Sequence, residues 1–361
     1  MTRHIVLVEP RYYTQYPPLG LLKLSSYHKL KGDTTELIKG LEIPKRTPDL
    51  IYVTSLFTWA WKPVWEAVGF CKKLFPHVEV WLGGLYASLL KNHAEQSGAD
   101  YIYKGLFREA EDLMPDYSLV PDWDGSIIIS SRGCIRACKF CSVPILEGKL
   151  NSTKRSIKHL IWPNHTKVIF FDNNILASKH WRMIFDELQE IGLRVDFNQG
   201  LDDRLITDEV AERLSRIKKI RMVRLAYDTP QNRKFVQKAV ERLNAHGIKG
   251  RQIQIYALFN HEDDPEDFFN RIRDILEWGA VAYPMRFEPL DALEKNKHVG
   301  KAWDLKRLDM VQRARRVIGY GGAFPPYTGL VNKFRYAKGF DEAFSLRPPK
   351  SKLCRKNNIK S

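Results

Sequence analysis

Five cysteines in 361 residues are too few, and odd in number, to form the disulfide framework of a secreted scaffold. No stretch of about 18 uninterrupted apolar residues occurs, so nothing reads as a bilayer-spanning helix. The opening MTRHIVLVEPR has too short an apolar run for a secretory signal. The expectation is therefore a cytoplasmic protein with no membrane partner. Also missing are the two-glycine phosphate loop closing on lysine and serine or threonine, zinc-finger spacing, and an RNP-type aromatic motif.

What is present has the composition of a folded globular protein: 44% hydrophobic, 12% aromatic and 28% charged residues. The length exceeds what one compact domain usually needs. A formal charge of +16 would attract a polyanion through phosphate contacts. Part of it, however, sits in scattered lysines and in the tail RPPKSKLCRKNNIKS, for which a solvated basic end is the plain alternative.

The run HIVLVE at residues 4–9 predicts a buried strand, and YPPLGLLKLSSYHKLKG spaces its apolar residues helically up to Gly32. DLIYVTSLF then predicts a strand and WKPVWEAVGFCKKLF a helix; VEVWLGG predicts a strand closing on Gly83 and Gly84, and ADYIYKG a short strand. This alternation predicts a parallel sheet with helices on both faces. MPDYSLVPDWDG, rich in proline and aspartate, reads as a linker, with a boundary near residue 120.

Beyond it the strand–helix alternation resumes with SIIISSR and then KVIFFDNN before ASKHWRMIFDELQEIG. RVDFNQG precedes TDEVAERLSRI, RMVRLAYD precedes NRKFVQKAVERLNAHG, and QIQIYALF precedes PEDFFNRIRDILEWG. Five or six such units suit a TIM-like barrel, complete or partial. The predicted fold is α/β: a Rossmann-like domain over about 1–120, a partial (β/α)6 barrel over about 121–290, and a short C-terminal extension over about 291–361. Met285 to Leu290 is expected to close the barrel mouth, and GYGGAFPPYTGL reads as a packed irregular segment or a substrate loop.

Cys134, Cys138 and Cys141 follow the strand SIIISS in the spacing C-x3-C-x2-C, at the strand end where barrels gather functional residues. Thiolates this close on one loop can converge on one metal centre. Zinc normally takes four protein ligands, and no fourth Cys or His stands nearby in such spacing. A [4Fe–4S] cluster held by three thiolates leaves one iron open. The alternatives are a structural zinc site completed by a distant residue, or coincidence.

GCIRACKFCSVP, with the aromatic Phe140 before the last cysteine, resembles the cluster-binding loop of radical S-adenosylmethionine (SAM) enzymes. The resemblance implies one-electron reductive cleavage of SAM to a 5′-deoxyadenosyl radical that abstracts hydrogen, fed by an electron donor such as flavodoxin or ferredoxin. In that family polar residues at later strand ends hold the methionine amine, carboxylate and ribose. The matching positions here are Asp172, Asn173 and Asn174 after KVIFF, Asn198 and Gln199 after RVDF, Arg204 just beyond, and Arg224 and Asp228 on RMVRLAYD. For each of these taken singly, a loop cap or surface ion pair is the competing explanation.

YPPLGLLKLSSY, VTSLFT, the Gly83–Gly84 pair and YIYKG resemble landmarks of the cobalamin-binding domain attached to many radical enzymes. The family's D-x-H-x-x-G motif has no counterpart in LIKGLEIPKRTPDL. Two readings stay open. The domain either cradles cobalamin without a protein ligand below, using Ser55, Gly83 and Gly84 against the nucleotide tail, or it serves as a scaffold. The resemblance thus implies a methyltransferase if cobalamin binds, and another radical C–H functionalisation if it does not. Methylthio transfer looks to need three more cysteines in the first domain, where only Cys71 is found. The substrate is open among nucleic acid, including RNA, peptide and small molecule. From another class, a nucleic-acid-binding module with a structural metal site is the alternative.

Overall fold

The apolar runs pair into parallel sheets in a computed structural model that describes residues 2–319 and 326–345. Residues 320–325 of GYGGAFPPYTGL, and the basic tail with Cys354, lie outside the described residues. The first sheet has strands β1 (His4–Glu9), β2 (Thr34–Lys39), β3 (Leu50–Ser55), β4 (Val80–Gly84) and β5 (Tyr101–Ile102). All its pairings are parallel, in the order β2-β1-β3-β4-β5.

Side chains alternate across a strand, so β1 feeds two cores. Ile5 and Leu7 pack with Leu21 and Leu50 on one face; Val6 and Val8 pack with Val64, Val68 and Leu82 on the other. The helices Leu19–Leu30 and Trp61–Leu74 supply those two covers. The order is that of a doubly wound fold with its switch point between β1 and β3, where ligand crevices open at the carboxyl ends of the strands.

Strand β2 is missing from the sequence reading because TTELIK offers no apolar run: it is an edge strand, and only Ile38 is buried. The segment read as a linker is anchored. Asp116 accepts hydrogen bonds from the Ser25 and Ser118 hydroxyls, each at 2.5 Å, and the buried Tyr117 hydroxyl accepts the Ile127 N–H at 2.7 Å.

The later series begins with β6 (Ser126–Ile128), then a small antiparallel pair, β7 (Ser131–Arg132) with β8 (Asn151–Ser152). β9 (Lys167–Phe170) and β10 (Arg194–Phe197) join β6 in a parallel sheet ordered β10-β9-β6. β11 (Val223–Ala226), β12 (Ile253–Phe259) and β13 (Val281–Arg286) form a sheet in that order. Six strands thus alternate with helices, as the patterning requires.

Contacts group the described residues into two units: one takes residues up to 224 with 245–247 and 288–298, and the other takes the rest. The second has its own core, in which Phe268, Ile272 and Ile275 of the helix Pro265–Glu277 are buried, with Phe268 stacking on Phe344. Among the described residues no helix is long and apolar enough to cross a membrane.

Candidate functional site

The cysteine loop lies in the first unit and starts where β6 stops. Ser130 and Ser131 turn their N–H groups and hydroxyls away from the ladder onto the buried carboxylate of Asp172, at 2.6–3.1 Å. Burial pushes the Asp172 carboxyl up, against those hydrogen bonds. Gly133 follows at φ +75, where an added Cβ would lie 2.3 Å from the Lys149 carbonyl oxygen, so only glycine lets the two sides of the loop meet. Cys134 then bridges by backbone to Lys149.

Cys134, Cys138 and Cys141 are half-buried thiols that line one cavity of about 930 Å³. The sulfurs of Cys134 and Cys141 sit among N–H donors. Arg136 N–H approaches Cys134 Sγ at 3.3 Å, Val143 N–H approaches Cys141 Sγ at 3.5 Å, and Asn174 Nδ2 lies 3.7 Å from Cys134 Sγ. Burial raises the Cys141 thiol, only partly offset by Val143 N–H, and the neighbouring Cys134 adds to the rise.

Among the described residues no three His, Cys, Asp or Glu side chains converge on a point that one ion would fill. Three soft sulfur donors, N–H groups aimed at those of Cys134 and Cys141, and a cavity in front fit an iron–sulfur cluster, whose thiolates bind separate corners.

Behind the loop stands a hub that the sequence reading missed. The Asp202 carboxylate accepts from Arg136 Nε at 2.8 Å, Arg204 Nε at 3.0 Å and Asn174 Nδ2 at 3.0 Å. Burial opposes its charge, but these three donors hold its carboxyl below the usual range. Asn174 Oδ1 is buried and has no hydrogen-bond partner. The only sequence signal for Asp202 was its place in GLDDR after a strand end, which many capping aspartates share.

Of the residues singled out from sequence, the three cysteines, Asn173, Gln199, Ser55, Gly83 and Gly84 line the cavity; Phe140, Asp172, Asn174, Asn198, Arg204 and Arg224 do not. Asn198 Oδ1 accepts the Tyr16 hydroxyl at 2.7 Å. Arg224 forms a buried ion pair with Asp196 and donates to the Phe197 carbonyl at 3.2 Å. Asp228 belongs to the second unit, where it accepts the Leu258 N–H at 3.1 Å.

The opposite end of the cavity reaches the switch point of the first sheet, with Glu9 and Ser55 at the carboxyl ends of β1 and β3. The Ser55 hydroxyl donates to the Gly83 carbonyl at 2.7 Å and accepts the Ala87 N–H at 3.1 Å. Gly84, at φ +104, would place a Cβ 2.1 Å from the Ser55 carbonyl oxygen. Burial raises the Glu9 carboxyl, partly countered by Lys39. Nine aromatic side chains, among them Tyr12, Tyr16, Phe57 and Phe171, stand along the wall, and among the described residues no histidine lines it.

No protein-family model and no curated protein matches the chain. Among solved structures, the fold is similar to that of the radical S-adenosylmethionine methyltransferase TsrM from Kitasatospora setae with cobalamin and [4Fe-4S] cluster bound. The TM-score is 0.60 at 14% identity, covering 81% of this chain and 77% of that one. A second structure of TsrM from the same organism, with tryptophan substrate and the SAM analog aza-SAM bound, has a TM-score of 0.59 at 14% identity and covers 80% and 75%. At this identity the likeness is one of fold: a Rossmann-like parallel sheet followed by the strand–helix series of radical SAM structures.

Proposed function

We propose that the chain is a radical SAM enzyme, with Cys134, Cys138 and Cys141 holding a [4Fe–4S] cluster, and that it acts as a cobalamin-dependent type of methyltransferase. The observation that carries this reading is that all three thiols and the switch point of the first sheet open into the same cavity. Its volume, about 930 Å³, stands at the upper end for small-molecule sites. Fold similarity to TsrM supports the same reading.

When bound, the cluster supplies the electron that splits the SAM sulfonium to a 5′-deoxyadenosyl radical, and cobalamin supplies a methyl carrier. The chain's own residues bind and shield. Asn173 and Gln199, which line the cavity, offer carboxamides to a bound methionine moiety. Arg136 and Arg204, both paired to the one Asp202 carboxylate, keep the loop fixed. The aromatic wall excludes water from a reactive radical. A cobalamin here would find no imidazole among the described lining residues, and Ser55 and Gly84 would meet it mainly through backbone. The electron comes from a cytoplasmic donor such as flavodoxin or ferredoxin.

Charge favours a nucleic-acid substrate over a peptide or small metabolite. Residues 301–361 hold fifteen Lys and Arg against four Asp and Glu, so most of the +16 sits in this last stretch.

Anaerobic reconstitution tests the reading. The protein should turn brown, hold about four irons, release 5′-deoxyadenosine from SAM with reductant, and shift the spectrum of added hydroxocobalamin. Colourless protein with one zinc would overturn it. RNA binding should weaken linearly in log–log salt plots, and salt-independent binding would remove the nucleic-acid assignment.

A further inference from the structure

A chain of charged side chains on the cavity wall runs into the backbone just before Cys134. The Arg132 guanidinium grips Glu111 with two bonds, Nε at 2.8 Å and Nη2 at 2.9 Å, and its Nη1 donates to Glu147 Oε1 at 3.0 Å. The other Glu147 oxygen accepts the Gly133 N–H at 2.8 Å and Asn173 Nδ2 at 2.9 Å. At the far end Lys23, on the helix Leu19–Leu30, donates to the Glu111 carbonyl at 2.7 Å and lies 3.6 Å from its carboxylate.

Two cations face two carboxylates, so the group is neutral and has no surplus charge to spend on a ligand. Its effect is geometric. Gly133, at φ +75 and without a Cβ, has little conformational preference of its own. The bond from its N–H to Glu147 selects one orientation, and Arg132 holds Glu147 in place. The planar fork matters here, because lysine has the charge but not the paired donors.

Building on the radical SAM reading, we propose that Arg132, Glu111 and Glu147 are positioning residues that set the direction in which Cys134 offers its sulfur to the cluster. Through Lys23 they tie that direction to the first sheet's helix, so the two ends of the cavity share one rigid strap.

The test uses the full-length variants Arg132→Lys, Glu111→Gln and Glu147→Gln, with folding checked by thermal midpoint. In cluster-free protein the alkylation rate of Cys134 relative to Cys138, read by peptide mass spectrometry, should rise about tenfold in Arg132→Lys and Glu147→Gln, the scale of one lost charge-assisted hydrogen bond. In reconstituted protein the same variants should shift the EPR signal of the reduced cluster with SAM and raise KM for SAM more than they lower kcat. If Arg132→Lys does not fold, Glu111→Gln, which loosens the fork alone, carries the measurement. Ratios and EPR spectra within twofold of wild type and unshifted, in folded variants, overturn the proposal. A wild type that binds no iron sinks the functional reading instead, while the thiol ratio still decides whether the strap orients Cys134.

Discussion

The side-chain amide nitrogen of Asn174 stands 3.7 Å from the sulfur of Cys134 and 3.0 Å from the Asp202 carboxylate, so one carboxamide links the cysteine loop to the turn after β10. An N–H aimed at a cluster thiolate stabilises the reduced state and raises the potential. Asn174→Leu is expected to lower the potential of the bound cluster by roughly 40 mV, equivalent to about 1 kcal/mol for one electron. Spectroelectrochemical titration of the reconstituted variant checks this, and an unchanged or higher potential would contradict it.

Alanine at Cys134, Cys138 or Cys141 should each abolish iron retention and 5′-deoxyadenosine release while leaving the far-UV circular dichroism intact. Cys71→Ala should keep both activities. Cys71 is buried behind β3 in the first sheet's core, and burial pushes its thiol up to about 11, as befits an inert packing residue. Iron counts on the four variants separate the roles.

Gly84→Ala should destabilise the first unit by about 2–4 kcal/mol, because it combines a left-handed backbone with an overpacked contact. The added methyl would meet the Ser55 carbonyl oxygen at 2.1 Å. Gly20→Ala, with nothing within 4 Å of its Cβ, should be nearly neutral. Urea midpoints of the two variants give the contrast; equal midpoints would mean the turn is looser than described.

Lys23 yields a pH signature. Burial lowers its ammonium from the ordinary 10.5 to about 8, even with Glu111 beside it. The folded pKa is below the unfolded one, so between those values the unfolded chain binds more protons and stability rises with pH. The cost is fully present below about pH 8 and is relieved as the pH climbs towards 10.5. The stability of wild type relative to Lys23→Met should therefore increase across that window; a flat difference would show that the ammonium is not desolvated.

Patterning close along the chain was readable from residues alone. The strand HIVLVE, the helix ending before Gly32 and the five later strand runs all appear as expected, with β13 a sixth, since apolar periodicity reports which side of an element is buried. The edge strand β2, half exposed and polar, left no such trace. MPDYSLVPDWDG looked like a tether because its proline and aspartate break periodicity. Asp116 and Tyr117 are nevertheless buried, as their partners Ser25 and Ile127 come from elements on either side.

The sequence by itself determined the spacing of Cys134, Cys138 and Cys141 and the strand–helix alternation that puts them at a strand end, because both are properties of near neighbours. Which polar groups reach the cavity was decided only by the tertiary structure. Asp172, Asn173 and Asn174 are consecutive, yet the first is spent on Ser130 and Ser131, the second lines the cavity, and the third turns to Cys134. Beyond a strand end each side chain's direction follows the loop backbone and the partners that hold it. Those partners, such as Glu111 for Arg132, come from segments far enough along the chain that no local pattern can announce them.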